Sequence, residues 1–175
     1  MKSVLIAIRP QWVEKIASGE KTIEVRKTAP QEVPFKCYIY ETKGQYVKFT
    51  HGAHTKYGYG RGKVIGWFIC DKVDEYHYDY CDGVDIDDDT ILETAIDRED
   101  INIYAKGKTL YGWHISDLKI YDKPKELSEF SRPCSYSGLC FSCKRTSFKK
   151  DGNLLCNTKI TRPPQSWMRV EDLGD

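Results

Sequence analysis

The stretch that decides the fold is residues 4–28, VLIAIRPQWVEKIASGEKTIEVRKT. It opens with a short apolar run, after which Pro10 presets φ for the first turn of a helix, where its missing N–H breaks no hydrogen bond. Apolar residues then recur at helical spacing until Gly19, a residue suited to the left-handed conformation that ends a helix. The pattern predicts a strand, a short helix, a glycine turn and a second strand.

The second strand carries apolar and charged side chains in alternation. Ile23 and Val25 are apolar, whereas Glu24 and Arg26 place a carboxylate and a guanidinium on the other face. Lys21 comes just before this strand. The sequence therefore gathers three ionisable groups beside the end of a helix.

The spacing Gly19-x-Lys21-x-x-Glu24-x-Arg26 resembles the signature of the ASCH domain, a relative of the PUA domains found in RNA-modifying enzymes. Two further stretches resemble that family in order and rough spacing: residues 8–12, IRPQW, and residues 62–68, GKVIGWF. The late stretch PPQSW, residues 163–167, resembles bacterial and phage members. The resemblance covers most of the chain and leaves apparent insertions at residues 134–157 and in parts of 44–61 and 79–96.

This resemblance implies an α+β fold, a small mixed β-barrel of the PUA-like type with short helices at its ends and a cysteine-rich insertion near the C-terminus. The length of 175 residues is that of a single domain, so residues 1–175 are expected to form one. The resemblance also implies a charged cleft. Its expected ligand-binding residues are Arg9, Trp12, Lys21, Glu24, Arg26 and Ser166.

Two functions are compatible with such a cleft. In a binding module for RNA or a nucleotide, Lys21 and Arg26 meet phosphate, while Glu24 accepts a hydrogen bond from an exocyclic amine or a sugar hydroxyl. In a hydrolase acting on a modified nucleoside or on single-stranded RNA, Lys21 and Glu24 are the catalytic residues. Relatives of this fold include an amidohydrolase for acetylcytidine, but Glu24 stands where its pattern has threonine. Since an ionised carboxylate does not replace a hydroxyl, the sequence favours binding over turnover.

A third interpretation needs no ligand. Lys21, Glu24 and Arg26 lie on one face and carry opposite charges, so they are also suited to an ionic network that braces the fold. Such a pairing favours the protonated form of Lys21, which is the wrong state for a general base.

The overall charge limits the class of partner. Lysine and arginine number 27 against 26 aspartate and glutamate residues, a net charge of +1, so nucleic-acid binding has to depend on a local patch. Neither a charged leader nor an apolar run of about 18 residues is present in the sequence, which predicts a cytoplasmic protein without membrane contact. Its expected partner is RNA or a nucleotide.

The cysteines give a separate signal. Cys140 and Cys143 are separated by two residues, and Cys134 and Cys156 flank them at irregular distances. Four thiolates of this kind bind zinc in a closed tetrahedral site, and the polar residues between them have no apolar core of their own. The sequence predicts a structural zinc site in an insertion at residues 134–157. The alternatives are four reduced thiols in an unordered loop, or two disulfides formed on oxidation.

Other segments give simpler predictions. Residues 44–62 mix aromatic residues, cations and five glycines, which favours a mobile loop able to track phosphates and stack bases, or a solvated hairpin loop whose rings cover the barrel. Thr90 is expected to cap a short helix and Asp97 a second one over residues 98–106. Residues 111–121 are expected to form one strand, which ends before Pro124.

Overall fold

The computed structural model describes residues 1–51, 54–134, 146–148, 154–156 and 158–174. This part of the chain is a mixed α+β fold. Its helices are α1 (Pro10–Ala17), α2 (Asp88–Thr94) and α3 (Arg98–Ala105), with one 3₁₀ turn at Leu127–Glu129. The first seven strands are β1 (Lys2–Ile8), β2 (Ile23–Arg26), β3 (Phe35–Glu41), β4 (Gly44–His51), β5 (His54–Gly60), β6 (Val64–Cys70) and β7 (Val73–Tyr76). The others are β8 (Tyr78–Asp79), β9 (Gly83–Val84), β10 (Leu110–His114), β11 (Ser116–Lys125), β12 (Thr146–Phe148), β13 (Leu154–Cys156) and β14 (Trp167–Val170).

Two sheets form the centre of the molecule. The larger one has the strand order β11-β6-β3-β1-β14, in which β1 and β3 run parallel and the other neighbours antiparallel. The smaller one has the order β2-β10-β7 and is antiparallel throughout. The pairings in the described part of the chain leave these sheets separate, so the closed barrel stays a prediction.

The elements predicted for residues 4–28 are confirmed. Pro10 is the first residue of α1, and Gly19 has a φ of 79°, the left-handed conformation that lets the chain turn back toward β2. All four residues of β2 are buried or half-buried. Its charged face therefore lies against protein, which the alternation alone did not predict.

For residues 44–62 the mobile loop is the first correction, because β4 and β5 pair as a hairpin, which was the other alternative for this segment. Gln45 lies opposite Tyr59 and Val47 opposite Tyr57. The glycines, which suggested mobility, alternate with tyrosines in Tyr57-Gly58-Tyr59-Gly60, and such a period of two is the pattern of a strand.

The stretch 111–121 is a second correction, since it forms two strands in two different sheets. β10 ends at His114 and β11 begins at Ser116, and between them the Ile115 N–H donates to the Thr22 carbonyl at 2.9 Å. Pro124 does not end β11, which continues to Lys125. This strand is at the edge of its sheet, where a proline has no ladder hydrogen bond to lose.

Helix α2 begins earlier than predicted. Its N-cap is Asp87, whose carboxylate accepts from the Thr90 N–H at 2.8 Å, so Thr90 is inside the first turn and is not the cap. Asp97 precedes α3 as predicted, although its side chain makes no capping hydrogen bond and the helix ends at Ala105. No helix in the described ranges is both long and apolar enough to cross a membrane.

Gly66 marks a bulge in β6, as its place in a β-branched run suggests. Ile39 pairs with Gly66 and Tyr40 with Val64, which leaves Ile65 as an extra residue. A Cβ atom at position 66 would stand 2.2 Å from the Lys119 carbonyl oxygen, so the close approach of β11 requires glycine.

Candidate functional site

A cavity of about 810 Å³ opens where the end of β1, the start of α1, β2, α3 and the segment before β14 meet. Its walls include five of the six residues predicted to bind a ligand, namely Arg9, Trp12, Glu24, Arg26 and Ser166. The other lining residues are Ala7, Ile8, Gln11, Val25, Lys27, Thr42, Ile96, Asp100, Ile103, Tyr104, Lys106, Pro164 and Gln165. Residues far apart in the sequence thus share one site.

The C-terminal end of β1 is hydrogen-bonded to three walls of this cavity. The Ala7 N–H donates to the Ser166 carbonyl at 2.9 Å, and the Ala7 carbonyl accepts from Arg26 Nη2 at 2.8 Å. The Ile8 carbonyl accepts from the Thr42 N–H at 2.9 Å. Because Ala7 and Ile8 belong to the buried strand β1, these two backbone bonds and the bond from the Arg26 side chain fix the walls relative to each other.

Glu24 and Arg26 form the charged wall. Arg26 Nη1 donates to Glu24 Oε1 and, at 2.9 Å, to the Val25 carbonyl. The Glu24 side chain is almost fully buried, whereas that of Arg26 is 13% exposed and reaches the cavity. Arg26 Nε is buried and has no hydrogen-bond partner within the described residues. The guanidinium is thus the charged group of this pair that a ligand can reach.

Lys21 lies beneath this wall and does not line the cavity. Its side chain is fully buried, and Nζ donates to the Thr94 carbonyl at 2.6 Å and to the Ile23 carbonyl at 2.8 Å. Nζ is also 3.4 Å from Glu24 Oε2. One of the two carbonyl acceptors belongs to the last residue of α2, where the helix dipole is negative, whereas Glu24 Oε2 accepts no hydrogen bond within the described residues.

Burial lowers the pKa of Lys21, while the neighbouring carboxylate of Glu24 opposes that shift. The adjacent carboxylate and the negative end of α2 both favour the ammonium form of Lys21. Lys21 therefore acts through Glu24 in this arrangement and offers no group to a molecule in the cavity.

Helix α3 adds residues to the site that the sequence did not reveal. Ile101 and Ala105 face the core, while Ile103 and Tyr104 are exposed and line the cavity. Lys27 Nζ lies 5.0 Å from the centre of the Tyr104 ring. The sequence could have indicated this wall, because Ile103 and Tyr104 are large apolar residues that lie outside the core-facing stripe of a short helix.

The four predicted zinc ligands can be placed only in part. Cys134 and Cys156 are exposed, and Cys156 ends β13, opposite Thr146 in β12. Cys140 and Cys143 lie outside the described residues. Within the described residues no group of three or more metal-ligating side chains is present, so the zinc site stays a prediction.

We expect the purified protein to contain about one zinc ion per chain, since four thiolates form a complete tetrahedral site. Metal analysis of protein prepared without chelators will check this number. Cys143→Ser should release the metal and leave the melting temperature of the two central sheets nearly unchanged, because the core residues found in the described part of the chain come from other segments. Cys81→Ser, at an exposed cysteine far from this segment in sequence, is the control and should retain the metal. Protein without stoichiometric metal would contradict the prediction.

Comparison with known proteins assigns the fold. No family model matches the sequence, and no curated protein matches it. The crystal structure of ASCH from Zymomonas mobilis is 17% identical with a TM-score of 0.57, and the match covers 97% of this chain and 88% of that one. A serine-to-alanine variant of the same protein, also 17% identical, has a TM-score of 0.56 and covers 97% and 89%. The resemblance predicted from the sequence is confirmed, and the chain has the fold of an ASCH domain.

Proposed function

We propose that the cavity binds one nucleotide unit of single-stranded RNA, either as a free nucleotide or within a longer strand. The observation that carries this proposal is the composition of the walls. Cations outnumber acids, and the carboxylate of Glu24 is already neutralised by Lys21 and Arg26. The cationic lining residues are Arg9, Arg26, Lys27 and Lys106. These cations form a local positive patch that suits a phosphate, although the net charge of the whole chain is only +1.

Aromatic rings supply the second part of the recognition. Trp12 and Tyr104 both line the cavity and are partly exposed, so each can stack on a base. The ring of Trp12 also lies 5.7 Å from the Nζ atoms of Lys15 and Lys21. The volume of about 810 Å³ is in the range of sites that bind small ligands. A nucleotide uses both features when its base stacks on a ring and its phosphate lies beside the cations.

Binding is better supported than hydrolysis by the position of Lys21. A general base needs a lone pair that reaches the substrate, whereas Lys21 Nζ is buried, donates to two backbone carbonyls and forms an ion pair with Glu24. The observed network instead fixes the carboxylate of Glu24 and, through it, the guanidinium of Arg26. Lys21 is thus a positioning residue in this proposal.

Titration of a fluorescent single-stranded RNA, followed by anisotropy, tests the proposal. Arg9→Ala should weaken binding at low salt and make the plot of log affinity against log salt shallower by about one unit, because one phosphate contact is lost. Arg9 is exposed and its side chain makes no capping hydrogen bond to α1, so the variant should fold normally.

Lys108→Ala is the matched control, since Lys108 is an exposed cation close to α3 that does not line the cavity. This variant should bind as the parent does. Equal affinity of the parent, Arg9→Ala and Lys108→Ala for RNA, or a stronger preference of the parent for long duplex DNA, would refute the assignment of the cavity.

A further inference from the structure

We infer that the outer face of the β4–β5 hairpin stacks bases of single-stranded RNA that continues outward from the cavity. This inference rests on the proposed function, because it assigns the hairpin to the nucleotides next to the one in the cavity. It extends the site from one nucleotide to a run of several. The hairpin has two unlike faces, one against the molecule and one in solvent.

The inner face of the hairpin lies close to the molecule at Gly60. A Cβ atom at this position would stand 1.9 Å from the Thr42 carbonyl oxygen and 2.5 Å from Pro10 Cγ. A side chain at position 60 is therefore excluded, since neither the backbone of Thr42 nor the start of α1 can give way. At Gly58 the ring of the opposite residue, Tyr46, covers the backbone on the same face.

Contacts with helix α1 hold the same face in place. Lys48 Nζ lies 3.0 Å from Glu14 Oε1, and Tyr46 forms a hydrogen bond with the same carboxylate. This bond and burial raise the pKa of Tyr46. Because Glu14 and the cavity residue Trp12 belong to one short helix, the hairpin has a fixed position beside the cavity.

The outer face carries large apolar groups in water. Tyr59 is 72% exposed, Val47 55% and Tyr57 50%, and Val47 lies directly opposite Tyr57. The two tyrosines are two residues apart on one strand, a separation of roughly 6.7 Å, or about twice the 3.4 Å spacing of stacked bases. Exposed rings at this spacing form a platform for successive bases of an extended strand.

The charge of the hairpin indicates the occupant. Residues 42–63 contain five cations and no aspartate or glutamate, although acids and bases balance over the whole chain. The cations of this segment are Lys43, Lys48, Lys56, Arg61 and Lys63. Aromatic rings among cations match the bases and phosphates of a single strand. Thr42 precedes β4, lies against Gly60 and lines the cavity, so the base of the hairpin adjoins the cavity.

The test compares RNA of two lengths. A mononucleotide reaches only the cavity, whereas an eight-nucleotide single strand reaches the cavity and the hairpin. The variant Tyr57→Ala/Tyr59→Ala should bind the octanucleotide about 100-fold more weakly, since loss of one stacking ring weakens binding about tenfold. Its affinity for the mononucleotide should equal that of the parent, which also shows that the variant is folded.

Two control variants test whether the aromatic rings of Tyr57 and Tyr59 cause the loss of affinity. Tyr57→Phe/Tyr59→Phe keeps both rings and should bind the octanucleotide as tightly as the parent. Tyr80→Ala removes the most exposed tyrosine of the described residues, which lies away from the hairpin beside Tyr78, and should also have no effect. A loss of affinity in the phenylalanine variant would assign the contact to the hydroxyl groups and would overturn the stacking model.

The outcomes separate this inference from the proposed function. If the parent binds the octanucleotide no better than the mononucleotide, or if the double alanine variant binds both as the parent does, the inference is wrong and the cavity assignment stands. If octanucleotide binding depends on the tyrosines but not on Arg9, the cavity assignment is wrong. If the double alanine variant instead abolishes a dimer of the chain, measured by light scattering, while RNA binding is unchanged, the hairpin is a protein interface and the inference is overturned.

Discussion

Replacing Lys21 with alanine should lower the free energy of unfolding by about 3–5 kcal/mol, because the change removes one partner of a buried ion pair. Among the described residues Glu24 then retains only Arg26 as a charged partner, and the buried carbonyls of Ile23 and Thr94 each lose a donor. This is a large share of the stability of a typical domain. Chemical denaturation followed by circular dichroism will measure it.

Lys15→Ala is the matched control. Lys15 Nζ lies 2.7 Å from Glu20 Oε1, a shorter distance than in the buried pair, but both side chains are substantially exposed. The loss should be about 0–1 kcal/mol because water and salt screen such a pair. The difference between the two losses in free energy of unfolding therefore reports the burial of the ion pair and not its length.

A double-mutant cycle measures the cost of leaving the buried Glu24 carboxylate without Lys21. Lys21→Met keeps most of the volume and removes the ammonium, and Glu24→Gln in the same chain removes the carboxylate that it leaves behind. The double variant should be more stable than the sum of the two single changes predicts. If Lys21→Ala loses less than about 1 kcal/mol but no longer binds RNA, Lys21 contacts the ligand itself and the positioning role is wrong.

Trp113→Ala should lower the free energy of unfolding by a similar amount, about 3–5 kcal/mol, as expected for a buried large aromatic residue. Trp113 is fully buried in β10, opposite Glu24 of β2. Its ring packs edge-on against Phe35 at 5.1 Å and against Trp167 at 5.8 Å between centroids. Trp167 follows the cavity residue Ser166, so this variant should also bind RNA more weakly where it is folded.

Trp113→Phe separates the ring from the indole N–H. Trp113 Nε1 is buried without a hydrogen-bond partner within the described residues, so removing it leaves no new unsatisfied group. The phenylalanine variant should therefore lose clearly less stability than the alanine variant in urea titrations. Equal losses, or a loss in Trp113→Ala within the ±0.5 kcal/mol of surface changes, would show that this ring does not support the core.

The sequence predicted the elements whose signals are local. Pro10 at the first position of a helix and Gly19 in a left-handed turn each act through their own φ, so residues 4–28 were assigned correctly from composition and spacing. The break at Ile115 was not predictable in this way. It depends on a hydrogen bond to Thr22, a residue distant in sequence, and both flanking segments have the same strand-forming composition.

The same distinction applies to the site. The motif indicated that Lys21, Glu24 and Arg26 come together, and they do. The burial of each side chain depends on the segments that pack over it. Lys21 is covered by α2, whose Thr94 carbonyl accepts its hydrogen bond, and the sequence of this helix carries no motif. For this reason the sequence left the brace and the ligand cleft as alternatives, whereas the structure places Lys21 below the cavity and Arg26 at its wall.

Strand β1 lies between β3 and β14, so that Leu5 faces Tyr38 on one side and Met168 on the other. The second of these pairings joins residues from opposite ends of the described chain. Closing so long a loop is entropically unfavourable until other contacts have formed, and folds dominated by such distant pairings reach the native state in milliseconds to seconds instead of microseconds. The cavity wall at Ser166 is held by the Ala7 N–H beside the same strand pair, so the cavity can be complete only after this distant pairing has formed.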